Sequence, residues 1–309
     1  MTKYDVLLLG DLNVDVVLYV NRLPEPDEDV QVTGFEIRPG GVGYNTSVAL
    51  HELGLASYLV GSVGDDVFGQ YVVKRMREEG LEVRGVKVVN GVGTGVVSIL
   101  VLPTGDRAMA SFRGANRHVT VTAQDLNVLS SVRHVHVSGY MLLNADEGRA
   151  CVNVLSEAGT QGISRSVDLE GVAFSGWGRA LIVRGLVEYV FMNERELKSL
   201  TGLEVLEGGN EVHRLIKPKA TIVKLGEEGS VAFTGSEVLR QEAYRVRAVD
   251  CTGAGDAFNA GFIYGTLTRL DLRRALRIAN ALGARKCCEG AGDACLGLSD
   301  VLTEFGVES

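Results

Sequence analysis

Asp250-Cys251-Thr252-Gly253-Ala254-Gly255-Asp256-Ala257-Phe258 is the stretch on which the reading of this chain turns. Gly253, Ala254 and Gly255 let backbone N–H groups converge without side-chain obstruction. A helix expected over 256–268 adds the positive end of its dipole at the same point. Together these make an anion hole of the kind a transferring phosphoryl group requires. Asp256 lies beside it, where a hydroxyl would have to lose its proton. A carboxylate at a helix N-terminus should be more acidic than usual, which makes Asp256 a weak base at neutral pH. Taken alone, Asp256 is as readily an N-cap without chemistry, so the rest of the chain has to decide.

The 309 residues are 46% hydrophobic and 23% charged, which suits a soluble globular protein with a sizeable core. A net charge of −8 argues against a nucleic-acid partner, whose phosphates are held by surplus Lys and Arg. No apolar run reaches the roughly 18 residues of a membrane span. The N-terminus runs straight into the strand-like Val6-Leu7-Leu8-Leu9 rather than a signal sequence, so a cytoplasmic location is expected. Cys151, Cys251, Cys287, Cys288 and Cys295 contain no C-x-x-C pair and are expected to be reduced, mostly buried thiols. The five His residues show no metal spacing.

Strand candidates (6–9, 58–60, 134–137, 189–191, 221–225, 231–233) alternate with helix candidates (48–53, 69–79, 123–129, 147–158, 194–200, 271–288). In the last helix Leu272, Ala275, Leu276, Ala279 and Leu282 recur at helical spacing after Asp271, a capping residue. Such alternation means an α/β fold with a mostly parallel central sheet flanked by helices. Two segments break the rhythm. Residues 14–38 alternate as strands, and 94–113 read as a hairpin around Pro103-Thr104-Gly105-Asp106. They are expected to form a small β-sheet lid, 14–38 and 94–113, over a main domain of 1–13, 39–93 and 114–309. A lid of this kind excludes water from phosphoryl transfer; the alternative is a β-flap without a gating role.

Two further clusters carry polar ligating groups. Gly40-Gly41-Val42-Gly43-Tyr44-Asn45 precedes the helix expected at 48–53, and its glycines would let backbone approach a polyhydroxylated ligand. Gly10-Asp11-Leu12-Asn13-Val14-Asp15 follows the first strand, where open α/β sheets bind ligands. Asn13 and Asp15 alternate with apolar residues and so share one face.

These clusters, in this order and at these separations, resemble the ribokinase (PfkB) family of carbohydrate and nucleoside kinases over nearly the whole chain. The 40–45 cluster looks like its N-terminal signature and 250–258 like its C-terminal one. Asn193-Glu194-Arg195-Glu196 matches its Asn-x-x-Glu motif, and Lys224-Leu225-Gly226-Glu227-Glu228-Gly229 resembles its nucleotide-binding strand and turn. The resemblance implies a ribokinase-like fold and an ATP-dependent kinase that phosphorylates a hydroxyl, primary by expectation, of a small sugar. Asp256 would be the base and Gly253, Ala254 and Gly255 the anion hole. Asn13, Asp15, Gly41, Gly43 and Asn45 would face the acceptor, with Arg113 as a clamp or a plain loop charge. Lys224, Gly226, Gly229 and Asn280 would border the nucleotide, although Lys224 could equally be a strand-end lysine. Asn193 and Glu196 would organise Mg2+ through water, and Asp250 and Thr252 would hold a monovalent cation such as K+. A homodimer through the lid is also implied.

The chain departs from the family pattern in two places. Val42 stands where ribokinases proper carry a Lys, which puts ribose itself in doubt. Asp168-Leu169-Glu170-Gly171 stands where sugar-acid kinases have Asp-x-Asn-x-Arg, which disfavours a carboxylate-bearing acceptor. Tyr44 could stack on a ring, which keeps a nucleoside acceptor open. No G-x-x-x-x-G-K-[ST] occurs, so a P-loop enzyme is excluded. The rival of another class is a non-catalytic sugar- or nucleotide-binding regulator.

Overall fold

The computed structural model of the chain describes residues 4–104, 106–288 and 297–304. Its strands are β1 (Val6–Leu9), β2 (Asn13–Val20), β3 (Val32–Gly40), β4 (Ser57–Gly64), β5 (Val86–Val89), β6 (Gly95–Val101), β7 (Arg107–Phe112), β8 (His134–Ser138), β9 (Ser164–Asp168), β10 (Tyr189–Asn193), β11 (Ala220–Lys224), β12 (Ser230–Phe233) and β13 (Val238–Gln241). Its helices are α1 (Val42–Glu52), α2 (Val67–Glu78), α3 (Ala123–Asn127), α4 (Ala145–Thr160), α5 (Glu170–Ala173), α6 (Trp177–Ala180), α7 (Glu194–Thr201), α8 (Val205–Ile216), α9 (Ala254–Leu267), α10 (Leu272–Cys288) and α11 (Leu298–Glu304).

Nine strands form one sheet in the order β13-β12-β11-β10-β9-β8-β1-β4-β5. From β11 to β5 every pairing is parallel, and β12 and β13 add an antiparallel edge. β1 shows why the sheet needs helices on both faces. Val6 and Leu8 pack into one layer with α1, α2 and α9, while Leu7 and Leu9 pack into the other with α4, α7 and α8. A strand buried on both sides reads as an unbroken apolar run. β5, β9 and β13 lie outside the strands expected from sequence. β5 and β13 are short edge strands. β9 reads Ser164-Arg165-Ser166-Val167-Asp168, too polar to signal a buried strand, yet its last three residues are buried.

Segments 14–38 and 94–113 contribute to a second sheet of order β3-β2-β6-β7. β2 pairs antiparallel with β3 and parallel with β6, and β6 closes antiparallel on β7. Asn116 stitches this sheet to the main body. Its Oδ1 accepts from Leu12 N (2.9 Å), and its Nδ2 donates to Leu12 O (2.9 Å) and Asn13 Oδ1 (2.8 Å).

α9 is buried on all sides from Asp256 to Gly265, as befits a central helix rather than an amphipathic one. It packs against α10 through Gly261 and Gly265, where a Cβ would come within 2.8–2.9 Å of Leu282 and Ala275. Asp271 does cap α10, accepting from Arg274 N at 2.9 Å. Two helices start earlier than expected. α9 begins at Ala254 and α1 at Val42, six residues before position 48, so Gly255, Asp256 and Asn45 stand inside helical turns rather than in loops.

Candidate active site

Asp256 stands in the first turn of α9, whose cap residue Gly253 has φ 80°. A side chain there would be strained, and its Cβ would lie 3.3 Å from Asn45 Nδ2. Glycine is thus what lets α1 and α9 meet. Asn45 Nδ2 donates to Asp256 Oδ2 at 2.8 Å, and Asp256 is only 8% exposed. Burial pushes its carboxyl up to about 7, against the Asn45 hydrogen bond and the Lys224 ammonium; Asp168 and Asp15 push the same way as burial. The acidity expected from the helix N-terminus is therefore overturned. Desolvation outweighs the dipole, which gives Asp256 a basicity suited to accepting a proton near neutral pH. Of the three amides expected in the anion hole, that of Ala254 donates within the turn to Cys251 O at 3.2 Å.

Asn13 and Asp15, expected to face the acceptor, sit on β2 opposite Gly40 and Arg38 of β3. Asp15 is raised to about 6 by burial, which the Arg38 charge opposes and Asp250 reinforces. A cleft is lined here by Asp15, Arg38, Asn45, Asp250, Thr252 and Gly253. Gly41 and Gly43 make close approaches, but to the protein's own backbone. A Cβ on Gly41 would meet Asp11 O at 2.5 Å, and one on Gly43 would meet Gly10 C at 2.9 Å. These glycines dock the start of α1 against the β1–β2 turn and thereby aim Asn45.

Arg113 does not stand ready as a clamp. It binds Asp11 through Nε (3.1 Å) and Nη2 (2.8 Å) and lies 3.8 Å from Glu147, so buried carboxylates already neutralise it. Tyr44 is largely buried, with its hydroxyl donating to Glu79 Oε2 at 2.5 Å, yet it is among the residues that line the cleft. Trp177 packs against the core, as expected.

Asn193 and Glu196 form a capping box at the start of α7. Asn193 Oδ1 accepts from Glu196 N (2.8 Å), while Glu196 accepts from Asn193 N (2.8 Å) and Nδ2 (2.7 Å). Glu196 is nevertheless buried, not solvated, and burial together with the Asp168 charge raises it to about 7 against the pull of Lys224. Among the described residues no three His, Cys, Asp or Glu side chains gather at metal-ligand distance. Four carboxylates (Asp168, Glu170, Glu196, Asp256) do surround one ammonium, Lys224. That excess of negative charge fits a hydrated Mg2+ held mainly by nucleotide phosphates.

Asp250 is arranged differently. Its Oδ1 accepts from Thr252 N (2.9 Å), Thr252 Oγ1 (2.7 Å) and Arg107 Nη1 (3.3 Å), and its Oδ2 accepts from Arg38 Nη2 (2.8 Å). Burial raises it, but the hydrogen bonds from Thr252 and Arg38 win and hold it at about 2. Two guanidinium groups from the small sheet already supply its counter-charge. The donor set therefore does not fit a monovalent cation.

Gly226 (φ 60°) and Gly229 (φ 94°), expected to border the nucleotide, shape the turn after β11. A Cβ on Gly229 would strike Gln241 O at 2.1 Å. Asn280 Nδ2 donates to Gln241 O and Glu242 O, both at 3.1 Å, so Asn280 and Gly229 frame one edge by holding the segment after β13. Lys224 is no exposed strand-end lysine. Its ammonium is ion-paired with Asp168, whose Oδ2 also accepts from Asn259 Nδ2 at 2.6 Å. Asp168, Asn259 and Glu170 belong to the site but escaped sequence reasoning. Glu170 has φ 40°, uncommon for a glutamate, and accepts from Ser138 Oγ at 2.5 Å. The signal for Asp168 and Glu170 is the stretch 168–171, which in sequence registers only as a departure from a motif; Asn259, one turn after Asp256 on α9, carries no signal of its own.

The cysteines require a further correction. Cys251 and Cys287 form a disulfide, and buried Cys151 is the free cysteine among the described residues. Their separation of 36 residues carries no local signature. The tertiary fold joins them, because Val249 N and Asp250 N both donate to Cys287 O (2.7 and 3.2 Å) and lay the loop before α9 on the end of α10.

Comparison with known proteins adds independent findings. Residues 3–296 match the model of the pfkB family carbohydrate kinases. The chain is 33% identical over 280 residues to the ATP-dependent ribose-1-phosphate kinase of Halopiger xanaduensis, covering 90% of each. It is 27% identical to the ribokinase of Bacillus subtilis, covering 92% of this chain and 93% of that one. Among solved structures, the Arabidopsis thaliana ribokinase complexed with ribose and ATP superposes with a TM-score of 0.81 at 22% identity, over 99% of both chains. The adenosine kinase from Sinorhizobium meliloti gives 0.81 at 23% identity, over 98% and 99%. At those identities the superpositions establish the fold.

Proposed function

This chain belongs to the pfkB family of carbohydrate kinases, and from that premise we propose that it transfers the terminal phosphoryl group of ATP to a hydroxyl, primary by preference, of a small sugar. The observation that carries the assignment of roles is Asp256, buried, tied to Asn45 and raised to about 7. In this reading Asp256 accepts the hydroxyl proton as the phosphoryl group arrives. The amides at Gly253–Gly255 meet the migrating charge, Ala254 chiefly by setting the turn. The transition state is loose, so positioning and charge matter more than a strong base.

Asn13, Asp15 and Asn45 hold acceptor hydroxyls, with Gly41 and Gly43 fixing their backbone. Lys224, Gly226, Gly229 and Asn280 border the nucleotide. Asn193 and Glu196 would contact Mg2+ through water, and that ion would neutralise the β- and γ-phosphate oxygens. The sheet β3-β2-β6-β7 acts as a lid: residues 14–38 and 94–113 close over the main body, and Arg38 and Arg107 latch onto Asp250. By register Phe35 (65%), Ile37 (44%) and Phe112 (59%) share one face of the lid and are all exposed, which suits a homodimer through the lid. We place the enzyme in the cytoplasm; among the described residues no helix is long and apolar enough to cross a membrane.

A phosphorylated sugar is a second acceptor class, supported by Arg38 lining the cleft beside Asp15 and by the relative named a ribose-1-phosphate kinase. A nucleoside acceptor is the alternative within the same family, supported by Tyr44 in the lining of the cleft. Coupled ADP release across free pentoses and hexoses, sugar 1-phosphates and nucleosides tests the proposal. Turnover of a sugar or sugar phosphate supports it. ATP and sugar binding without any turnover would leave the regulator reading instead.

A further inference from the structure

We infer that Asp168 is the positioning residue that holds the Lys224 ammonium against the anion hole, so that Lys224 acts on the transferring phosphate itself. The inference rests on the kinase reading above and extends it to a residue that reading leaves out.

Asp168 ends β9 and Lys224 ends β11, with β10 between them. The register places Asp168 beside Phe191 and Lys224 beside Asn193, so the lysine must reach across β10 to its partner. It does so because the partner is fixed. Asp168 is 1% exposed, and its Oδ2 accepts from Asn259 Nδ2 at 2.6 Å as well as from Lys224 Nζ. Asn259 lies one helical turn beyond Asp256 on α9, so the base and the anchor of the ammonium ride on the same rigid helix. A Cβ on Gly255 would come within 3.3 Å of Lys224 Nζ. The ammonium therefore lies directly against the backbone of the hole's third residue.

Glu170 and Glu196 also act on Lys224, and either could draw the ammonium away from the hole. Burial alone would discharge the lysine, but the Asp168 and Glu196 charges outweigh it and keep it protonated. An ammonium has three donors, so Lys224 can keep its bond to Asp168 and still donate to a phosphate oxygen. A fixed cation at a site of developing charge, in a buried setting, stabilises the transition state more than the ground state. A merely structural ion pair would make no such distinction.

The test is a double-mutant cycle on the full chain with saturating Mg-ATP and the sugar turned over fastest. Lys224→Met should lower kcat roughly 100-fold or more while acceptor KM stays within about two-fold. Asp168→Asn should lower kcat about ten-fold or more, yet cost nothing further in the Lys224→Met background, because its effect runs through the lysine. Asn259→Ala removes one of two bonds and should cost several-fold in the parent and nothing in Lys224→Met; it completes the cycle if Asp168→Asn does not fold. Parental kcat in Asp168→Asn or Asn259→Ala, or losses that multiply with Lys224→Met, would overturn the inference. A parent protein inactive on the whole acceptor panel would remove the kinase reading as well, and so is told apart from failure of the inference alone.

Discussion

Along β4 all eight residues are buried; along β7 five of six are exposed. The first strand belongs to the nine-stranded sheet, closed between two helical layers, and the second to the four-stranded sheet, which leaves Phe35, Met109 and Phe112 open to solvent. Their polar contacts differ in the same way. In the main body, carboxylates and an ammonium are buried and locked by neighbouring strands and helices, as at Asp168, Lys224 and Asn259. Between the small sheet and the loop before α9, Arg38 and Arg107 reach Asp250 through side chains about a third exposed. Buried polar groups are costly to leave unpaired and so hold one geometry, whereas exposed ion pairs form and break with little free-energy change. The difference bears on the proposed division of tasks: the rigid side suits chemistry, and the loose one suits opening and closing.

The comparison breaks most visibly at Asp256. Asp256→Asn should lower kcat by roughly 10³-fold, within the range for a removed general base, with nucleotide affinity nearly unchanged. The parent's kcat/KM should fall as pH drops below about 7, where the raised carboxyl takes a proton. The stability consequence has the opposite sense. The group titrates at 3.8 in the unfolded chain and about 7 in the folded one, so the folded state binds the proton more tightly. That contribution is complete below about 4 and is lost as pH rises through 7. Asp256→Asn should therefore raise Tm above pH 7 even as it lowers kcat, and calorimetry at pH 5 and 8 would show the rise in Tm.

A second break lies in the cross-link of the rigid side. Cys251→Ser should lower the unfolding free energy by about 4 kcal/mol, as expected for a closed loop of this length, measured by guanidinium unfolding of the non-reduced protein. An unchanged midpoint would mean that Val249, Asp250 and Cys287 hold the loop without the bridge. On the loose side, Phe35→Asp should weaken self-association by about 10–100-fold in sedimentation, leaving kcat within about two-fold. The smallest effect belongs to the latch. Arg107→Ala removes an exposed pair worth less than about 1 kcal/mol, so acceptor KM should rise only a few-fold and less at high salt. A large loss of kcat there would move chemistry into the lid.

Legibility from sequence follows the same division. β1, α7 and α10 announce themselves through unbroken apolar runs, a capping box and helical spacing. The 250–258 stretch marks Asp256 as the candidate base through its glycines beside an acid at a helix start, read together with the other motifs. What stayed hidden depends on long-range approach. Gly41 and Gly43 pack the start of α1 against the β1–β2 turn, Arg113 is neutralised by Asp11 from that same turn 102 residues away, and Cys251 finds Cys287 only after α9 and α10 pack. Asp256's basicity was misjudged because a local rule, the helix dipole, is visible in sequence whereas burial is not.

A structure with a non-hydrolysable ATP analogue, Mg2+ and a sugar acceptor tests the central claim most directly. The account predicts the terminal phosphate against the amides at 253–255, with Lys224 Nζ within hydrogen-bond distance and Asp256 facing the acceptor hydroxyl. A terminal phosphate bound elsewhere, or Asp256 still turned only to Asn45 with the acceptor out of reach, would contradict it.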